Sequence, residues 1–276
     1  QYAINPDAFL LYKNRQFVLA QVSDGNTLVE IYLSAQMSSF DISVDGKYFA
    51  AAAYSPETNT ADIHVYDTQD GKLLFTISAA HNGSVPFLRY TPDGNTLISA
   101  SAEMMKFLDT TDGDLIKSVQ AHRDMITCMA LSPDGQFIVT GSFGADSDVN
   151  VWSNTGDRLT TVTKTNTHCY LAAFSPDSRY LVFHSSSKIS LYRVSDWKRE
   201  WRSTFSGNVS PFVGFTPSGN IYLADRKGTI KIINPINQEI ILTQEIGQTV
   251  GFSFSPDGQW IVVLRPKGYV EIIQLK

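Results

Sequence analysis

The stretch ITCMALSPDGQFIVTGSF, from Ile126 to Phe143, decides the fold. Two apolar runs flank the tetrapeptide Ser-Pro-Asp-Gly at 132–135. Proline presets φ at the second turn position, the Asp side chain bonds nearby backbone, and glycine accepts a positive φ. The stretch therefore predicts two short antiparallel strands joined by a tight reversal.

The same pattern recurs about every 40 residues along the whole chain, which indicates a repeat architecture. The copies are NPDA (5–8), SVDG (43–46), TPDG (91–94), SPDG (132–135), SPDS (175–178), TPSG (216–219) and SPDG (255–258). Their third positions are Asp7, Asp45, Asp93, Asp134, Asp177, Ser218 and Asp257.

Each period contains four short apolar runs rich in β-branched and aromatic residues. After Asp134 these runs are QFIVTGSF, DVNVWSN, RLTTVTK and CYLAAF, and no window is typical of an amphipathic helix. A four-stranded unit repeated radially is a blade of a β-propeller. The sequence thus predicts an all-β fold, a seven-bladed β-propeller of four-stranded antiparallel blades, in a single domain over residues 1–276.

The two ends of the chain fall at different points of the period. Residues 1–4 align with the innermost strand of the first blade, and residues 269–276 align with the third strand of the last. The last blade is therefore expected to lack its outermost strand in this chain. We expect roughly ten or more further residues upstream of Gln1 to supply that strand, which would make this chain part of a larger one.

Composition excludes several classes of protein. The 276 residues include 22 Lys+Arg and 27 Asp+Glu, a net charge of −5 that disfavours a nucleic-acid-binding surface. The cysteines, Cys128 and Cys169, are too few for a disulfide scaffold and are expected to be buried free thiols. No apolar run is long enough for membrane insertion. No motif of a catalytic, cofactor or metal site is present, so none of these is expected.

The repeats resemble the WD-repeat family. In the fourth copy, His122, Asp146 and Trp152 fall where the family has the histidine, the turn aspartate and the tryptophan of one hydrogen-bonded network. Ser142 or Thr140 would supply its hydroxyl. The third copy has similar residues, with leucine in place of tryptophan: His81, Ser99, Glu103 and Leu108. The resemblance implies a non-enzymatic, rigid scaffold whose faces dock other proteins, often within a larger chain or complex.

The position two residues before each turn motif lies on the innermost strand. Its occupants are Ala3, Asp41, Arg89, Ala130, Ala173, Gly214 and Ser253. Small residues fit a crowded axis, and the two charged exceptions lie in adjacent copies. We predict that Asp41 and Arg89 form an axial ion pair. In the alternatives, both point to water in the channel, or Asp41 acts as an acid or a metal ligand.

The loops between second and third strands lie on one face, and those of three consecutive blades are basic. We call the following set the basic arc: Lys13, Arg15, Arg226, Lys227, Arg265 and Lys267. Such an arc could capture an acidic peptide, although solvated loop charges without a ligand are the simpler interpretation. Trp197 is a candidate interface anchor, because tryptophan is frequent among interface hot spots.

Two rival functions stay open at this point. The first is a lactonase-like propeller hydrolase with a metal site at the axis, and the second is an envelope or periplasmic accessory propeller. The favoured interpretation is a cytoplasmic scaffold that binds a protein or an acidic peptide, without nucleic acid.

Overall fold

The computed structural model describes residues 4–5, 8–13, 16–21, 27–32, 36–144, 148–164, 168–185, 188–204, 212–225, 227–255, 257–266 and 269–275. Within these ranges the chain forms twenty-seven β-strands and no α-helix. The strands make seven antiparallel sheets, six with four strands and the last with three. In every sheet, neighbouring strands follow one another along the chain. We call the sheets blades one to seven in chain order.

The chain divides into two compact units, and the first comprises Gln1–Ile126 with Asn154–Asp157. It contains blades one to three. Their strands are β1 (Ile4–Asn5), β2 (Ala8–Lys13), β3 (Gln16–Gln21) and β4 (Thr27–Tyr32); β5 (Gln36–Ile42), β6 (Tyr48–Ser55), β7 (Thr60–Asp67) and β8 (Leu73–Asn82); and β9 (Phe87–Tyr90), β10 (Thr96–Ser101), β11 (Met104–Asp109) and β12 (Leu115–Gln120).

The second unit comprises Thr127–Ser153 with Arg158–Lys276 and contains blades four to seven. Their strands are β13 (Ile126–Leu131), β14 (Phe137–Ser142), β15 (Asp148–Ser153) and β16 (Arg158–Lys164); β17 (Cys169–Phe174), β18 (Tyr180–Ser185), β19 (Lys188–Arg193) and β20 (Lys198–Thr204); β21 (Phe212–Phe215), β22 (Ile221–Ala224), β23 (Thr229–Ile233) and β24 (Ile240–Glu245); and β25 (Gly251–Phe254), β26 (Trp260–Leu264) and β27 (Val270–Gln274).

The predicted all-β fold class is confirmed by these blades. Six repeats form one four-stranded antiparallel sheet each, and blade seven has three strands among the described residues. The single domain over residues 1–276 and the strand expected upstream of Gln1 stay predictions.

The turn motif works through one hydroxyl group. In blade four, Ser132 Oγ donates to Asp134 Oδ1 at 2.6 Å and accepts from the Phe137 N–H at 2.9 Å. The same carboxylate accepts from the Gln136 N–H at 3.0 Å. This network fastens the start of the second strand to the end of the first. Hydroxyl groups bond in the same way at Ser43, Thr91, Ser175, Thr216 and Ser255. The first motif copy, with Asp7, lies outside the described residues.

The fifth copy departs from glycine at the last position of the motif. Ser178 has a φ of +58°, a backbone conformation that costs an L residue about 1–2 kcal/mol. Its Oγ accepts a hydrogen bond from the Asp134 N–H at 3.0 Å. The serine thus connects the turns of blades four and five, which offsets part of the strain.

Burial explains why the middle strands are apolar on both faces. Residues 49–53 of β6 and 138–142 of β14 are buried throughout, so both faces of these strands are covered. The outermost strands, such as β12 and β24, alternate between exposed and partly buried residues. Each large apolar side chain buried this way contributes about 1.5–3 kcal/mol.

Two glycines of blade six bring two backbone segments into contact. The Ile246 N–H donates to the Gly228 carbonyl at 2.7 Å, and Gly228 has a φ of +96°. A Cβ on Gly228 would lie 1.9 Å from the Gly247 carbonyl oxygen. Since backbone atoms cannot give way as a flexible side chain can, only glycine fits at this position.

The replacement Ser132→Ala removes the hydroxyl and leaves the Phe137 N–H without that acceptor. We expect the free energy of unfolding to fall by about 1–2 kcal/mol. Urea denaturation followed by circular dichroism measures the change. Gln136→Ala, an exposed change in the same turn, is the control, and equal effects from the two variants would contradict this role of the hydroxyl.

A second pair of variants separates the effect of a backbone collision on stability from the effect of a strained backbone conformation. Gly219 has a φ of +84° and nothing within 4 Å of its added Cβ, so Gly219→Ala adds conformational strain alone. Gly228→Ala adds the collision as well, and we expect it to lower stability by at least about 2 kcal/mol more. The midpoints of thermal unfolding compare the two, and similar midpoints would contradict the close approach.

Candidate functional site

The tryptophan of the fourth copy bonds within its own blade. Trp152 in β15 donates from Nε1 to Thr140 Oγ1 in β14 at 2.8 Å, and both side chains are buried. Of the two hydroxyl groups left open by the sequence, Thr140 therefore meets the indole. His122 and Ser142 are also buried, whereas Asp146 lies outside the described residues. The complete four-residue network stays a prediction.

The third copy builds a shorter version of this arrangement. His81 Nε2 lies 2.8 Å from Ser99 Oγ, and both groups are buried. Leu108, which occupies the tryptophan position, is buried and adds no donor. Burial, assisted by the positive charge of Lys106, lowers the pKa of His81 to about 4. The imidazole is therefore neutral at physiological pH.

Asp41 and Arg89 lie on the innermost strands of blades two and three. Asp41 Oδ2 accepts a hydrogen bond from the Tyr90 N–H at 2.8 Å. Burial raises the pKa of Asp41, and the positive charge of Arg89 opposes that rise. Arg89 also donates from Nη1 to the Leu88 carbonyl at 2.7 Å. The two charges thus act on each other, and their direct ion pair stays a prediction.

The structure describes only part of the basic arc. Lys227 is exposed in the loop between β22 and β23, and Lys13 is the last residue of β2. Three members lie outside the described residues: Arg15, Arg226 and Lys267. The anion-binding role of the arc therefore stays a prediction.

Arg265 is engaged by neighbouring groups of its own blade. Its Nε donates to Glu271 Oε2 at 2.8 Å, and its Nη1 donates to the Gln248 carbonyl at 3.1 Å. The side chain is only 11% exposed. Much of its hydrogen-bonding capacity therefore holds the loop before β25 against β27.

Trp197 occupies the turn between β19 and β20 with a φ of +55°. Its ring meets the ring of Phe137 edge-on, with centroids 5.3 Å apart, and packs against the core between blades four and five. The indole therefore contributes to packing between these blades. Its role as an interface anchor stays a prediction.

A group of surface rings on blades four and five was missed by the sequence analysis. Phe143 follows β14, His168 precedes β17, and Tyr170 lies within β17; we call these three residues the aromatic patch. The rings of Phe143 and His168 stack with centroids 4.0 Å apart, and those of His168 and Tyr170 are 5.6 Å apart. Phe143 is 43% exposed and Tyr170 is 53% exposed.

A β-bulge explains the exposure of Tyr170. Cys169 pairs with Ser185 and Leu171 with His184, so the register shifts across Tyr170. The His184 ring is buried below the patch, 5.6 Å from the Tyr170 ring. An alternation pattern cannot reveal such a shift, because the bulge inserts one residue into the strand period. The adjacency of Phe143 and His168 likewise depends on packing between blades.

No group of three or more His, Cys, Asp or Glu residues in the described ranges could hold a metal ion. In the same part of the chain, no helix has the length and hydrophobicity of a membrane span.

One repeat of the chain is similar to a known protein family. The profile of the family "WD domain, G-beta repeat" matches residues 113–153, which extend from β12 to the end of β15. One repeat of the chain therefore matches this family. The match contains Trp152 and the Ser-Pro-Asp-Gly turn at 132–135, so it covers the copy on which the resemblance was based.

Several curated proteins are similar to this chain. An intraflagellar transport protein 122 homolog of Danio rerio is 27% identical over 58% of this chain and 13% of its own length. A p21-activated protein kinase-interacting protein 1-like protein of Gallus gallus is 20% identical over 85% of this chain and 62% of its own length. A putative BTB/POZ domain and WD-repeat protein of Acanthamoeba polyphaga mimivirus is 26% identical over 64% of this chain and 33% of its own. The chain thus spans less than two thirds of each.

The buried neutral His81 makes the stability of the chain depend on pH. In the unfolded chain a histidine has a pKa of about 6.5, whereas the pKa of His81 in the folded chain is about 4. Between these two pH values the unfolded state therefore binds a proton that the folded state does not. Its stabilising contribution is therefore complete above pH 6.5 and is lost as the pH falls toward 4. This loss lowers the free energy of unfolding by up to about 3 kcal/mol. We expect it to be absent in His81→Gln.

Urea denaturation at pH 7.5 and pH 4.5 measures this difference. The exposed change Gln136→Ala is the control and should keep the pH dependence of the original chain. An unchanged pH dependence in His81→Gln would show that another group titrates.

Proposed function

We propose that this chain is a non-catalytic protein-interaction module. It docks a protein partner on blades four to six, at the end where loops connect the second and third strands. The observation that carries the proposal is the aromatic patch, in which Phe143 and Tyr170 flank the His168 ring and are themselves exposed. Phenylalanine and tyrosine contribute large contact areas, and tyrosine is frequent among interface hot spots. Tyr170 lies within β17, and Phe143 and His168 directly adjoin β14 and β17, so the patch is anchored to strands, which lowers the entropic cost of binding.

The partner that fits this surface combines apolar and acidic side chains. Phe143 and Lys227 both lie in loops that connect second and third strands, and such loops share one end of their blades. Lys227 is exposed and can meet a carboxylate, whereas Arg265 is already engaged by Glu271. We therefore assign the apolar contacts of the partner to the aromatic patch and the acidic contacts to Lys227.

The relatives support a binding function in general terms. The name of the chicken relative describes a protein that interacts with a protein kinase, and the name of the zebrafish relative describes a transport protein. We extend to this chain only the expectation of a protein partner, in the cytoplasm. The rival hydrolase would need Asp41 as a metal ligand, but its Oδ2 accepts the Tyr90 N–H and it is under the influence of Arg89.

Paired variants test the docking surface. Partners are captured from extracts of the source organism on the immobilised chain, and each purified candidate is then titrated against the chain by calorimetry. We expect Tyr170→Ala to weaken binding by at least about tenfold, because it removes a hot-spot ring. Lys227→Glu should weaken binding of the same partner, more strongly at low salt.

Tyr48→Ala is the matched control. Tyr48 is 37% exposed at the start of β6, beside the turn motif and therefore at the opposite end of its blade. The proposal is wrong if Tyr170→Ala binds as tightly as the original chain, or if Tyr48→Ala weakens binding equally. Circular dichroism spectra establish that all three variants are folded.

A further inference from the structure

The only two cysteines of the chain meet between blades four and five. Cys128 lies in β13 and Cys169 at the start of β17, the innermost strands of the two blades. Both are free and buried, with 2% and 1% of their surfaces exposed. Their Sγ atoms are 2.7 Å apart. The proposed docking function uses neither thiol.

The backbone of Cys169 is positioned by a residue beside Cys128. Thr127 Oγ1 donates to the Cys169 carbonyl at 2.6 Å and lies 3.3 Å from the Gly141 carbonyl. The β-bulge that exposes Tyr170 begins at Cys169, so Cys169 and Leu171 pair with adjacent residues of β18. Cys128 lies four residues before its turn motif and Cys169 lies six before, so the two cysteines do not occupy equivalent positions of the repeat. The hydrogen bond of Thr127 and the bulge explain how their thiols nevertheless meet.

Gly141 leaves the space that the two thiols occupy. A Cβ at this position of β14 would lie 2.5 Å from Cys169 Cβ and 2.7 Å from Cys128 Sγ. Any larger residue would therefore push one of the cysteines away. The thiol contact thus depends on three residues from neighbouring strands: a glycine and two cysteines.

We propose that Cys128 and Cys169 form a site of reversible oxidation, at which a peroxide converts the thiol pair into a disulfide between blades four and five. A disulfide requires the sulfur atoms to approach to about 2.0 Å, so the pair must close by about 0.7 Å. The buried strands already hold both side chains next to each other. A shift of this size within two packed strands needs no rearrangement of either blade.

The chemistry balances with hydrogen peroxide as the oxidant. One thiol gives up its proton and attacks a peroxide oxygen as the thiolate, and the O–O bond breaks. The leaving hydroxide takes up that proton, so a sulfenic acid and one water form. The second thiol then attacks the sulfenic sulfur, which forms the S–S bond and releases another water. Two thiols and one peroxide thus give one disulfide and two waters, and the two electrons pass from sulfur to oxygen. Burial raises the pKa of Cys128, so this thiol is protonated in the resting state.

Peptide mapping of the folded chain is the primary test. The chain is treated with hydrogen peroxide, its remaining thiols are alkylated in urea, and it is digested with trypsin without reduction. We expect residues 124–158 to appear covalently linked to residues 165–179, and the link to disappear after dithiothreitol. The proposal is overturned if both thiols remain open to alkylation, or if peroxide yields sulfinic acid without the link.

Thermal unfolding provides a second measurement. The disulfide closes a loop across 41 positions, so oxidation should raise the melting temperature by about 5 °C. Cys169→Ser retains the volume of the side chain and should show no rise after peroxide. If it fails to fold, Cys128→Ser serves instead. A link that forms only after unfolding in urea, or an equal rise in the serine variant, would overturn the proposal.

Discussion

The reversal between the first and second strands of each blade is the constraint on which the rest of the structure depends. In blades two to five and in blade seven, a serine or threonine hydroxyl donates to the turn aspartate and accepts from the first amide of the next strand, as Ser132 does with Asp134 and Phe137. This arrangement sets the pairing of the two strands. Because side chains alternate in a strand, the pairing decides which of them enter each gap between blades. All packing within the two units follows from that choice.

The gaps between blades are filled in different ways, although the strands are alike. Between blades two and three a histidine meets a serine, and within blade four a tryptophan meets a threonine. Between blades four and five, two thiols meet above a glycine. The repeated backbone therefore tolerates a varied interior. This tolerance explains why the copies of the repeat diverge while their turns persist.

The proposed docking function uses the ends of the blades. The strands have little freedom to change, because both faces of the middle strands are buried. The loops and bulges carry Phe143, Tyr170 and Lys227 toward solvent, where substitutions alter binding without disturbing the core. Charge alone does not make a loop residue available for binding, as Arg265 illustrates through its contacts with Glu271 and the Gln248 carbonyl.

The sequence by itself determined the blade: the turn residues, the four strands of each repeat and the burial of residues such as His122 and Trp152 are local features with a regular period. It did not determine that Tyr170 faces solvent, that Cys128 touches Cys169, or that Arg265 bonds to Glu271. These contacts depend on a bulge and on the approach of separate segments, and neither appears in a pattern of residue types. Local hydrogen bonding is encoded within a few residues, whereas contacts between strands and blades exist only after the chain has packed.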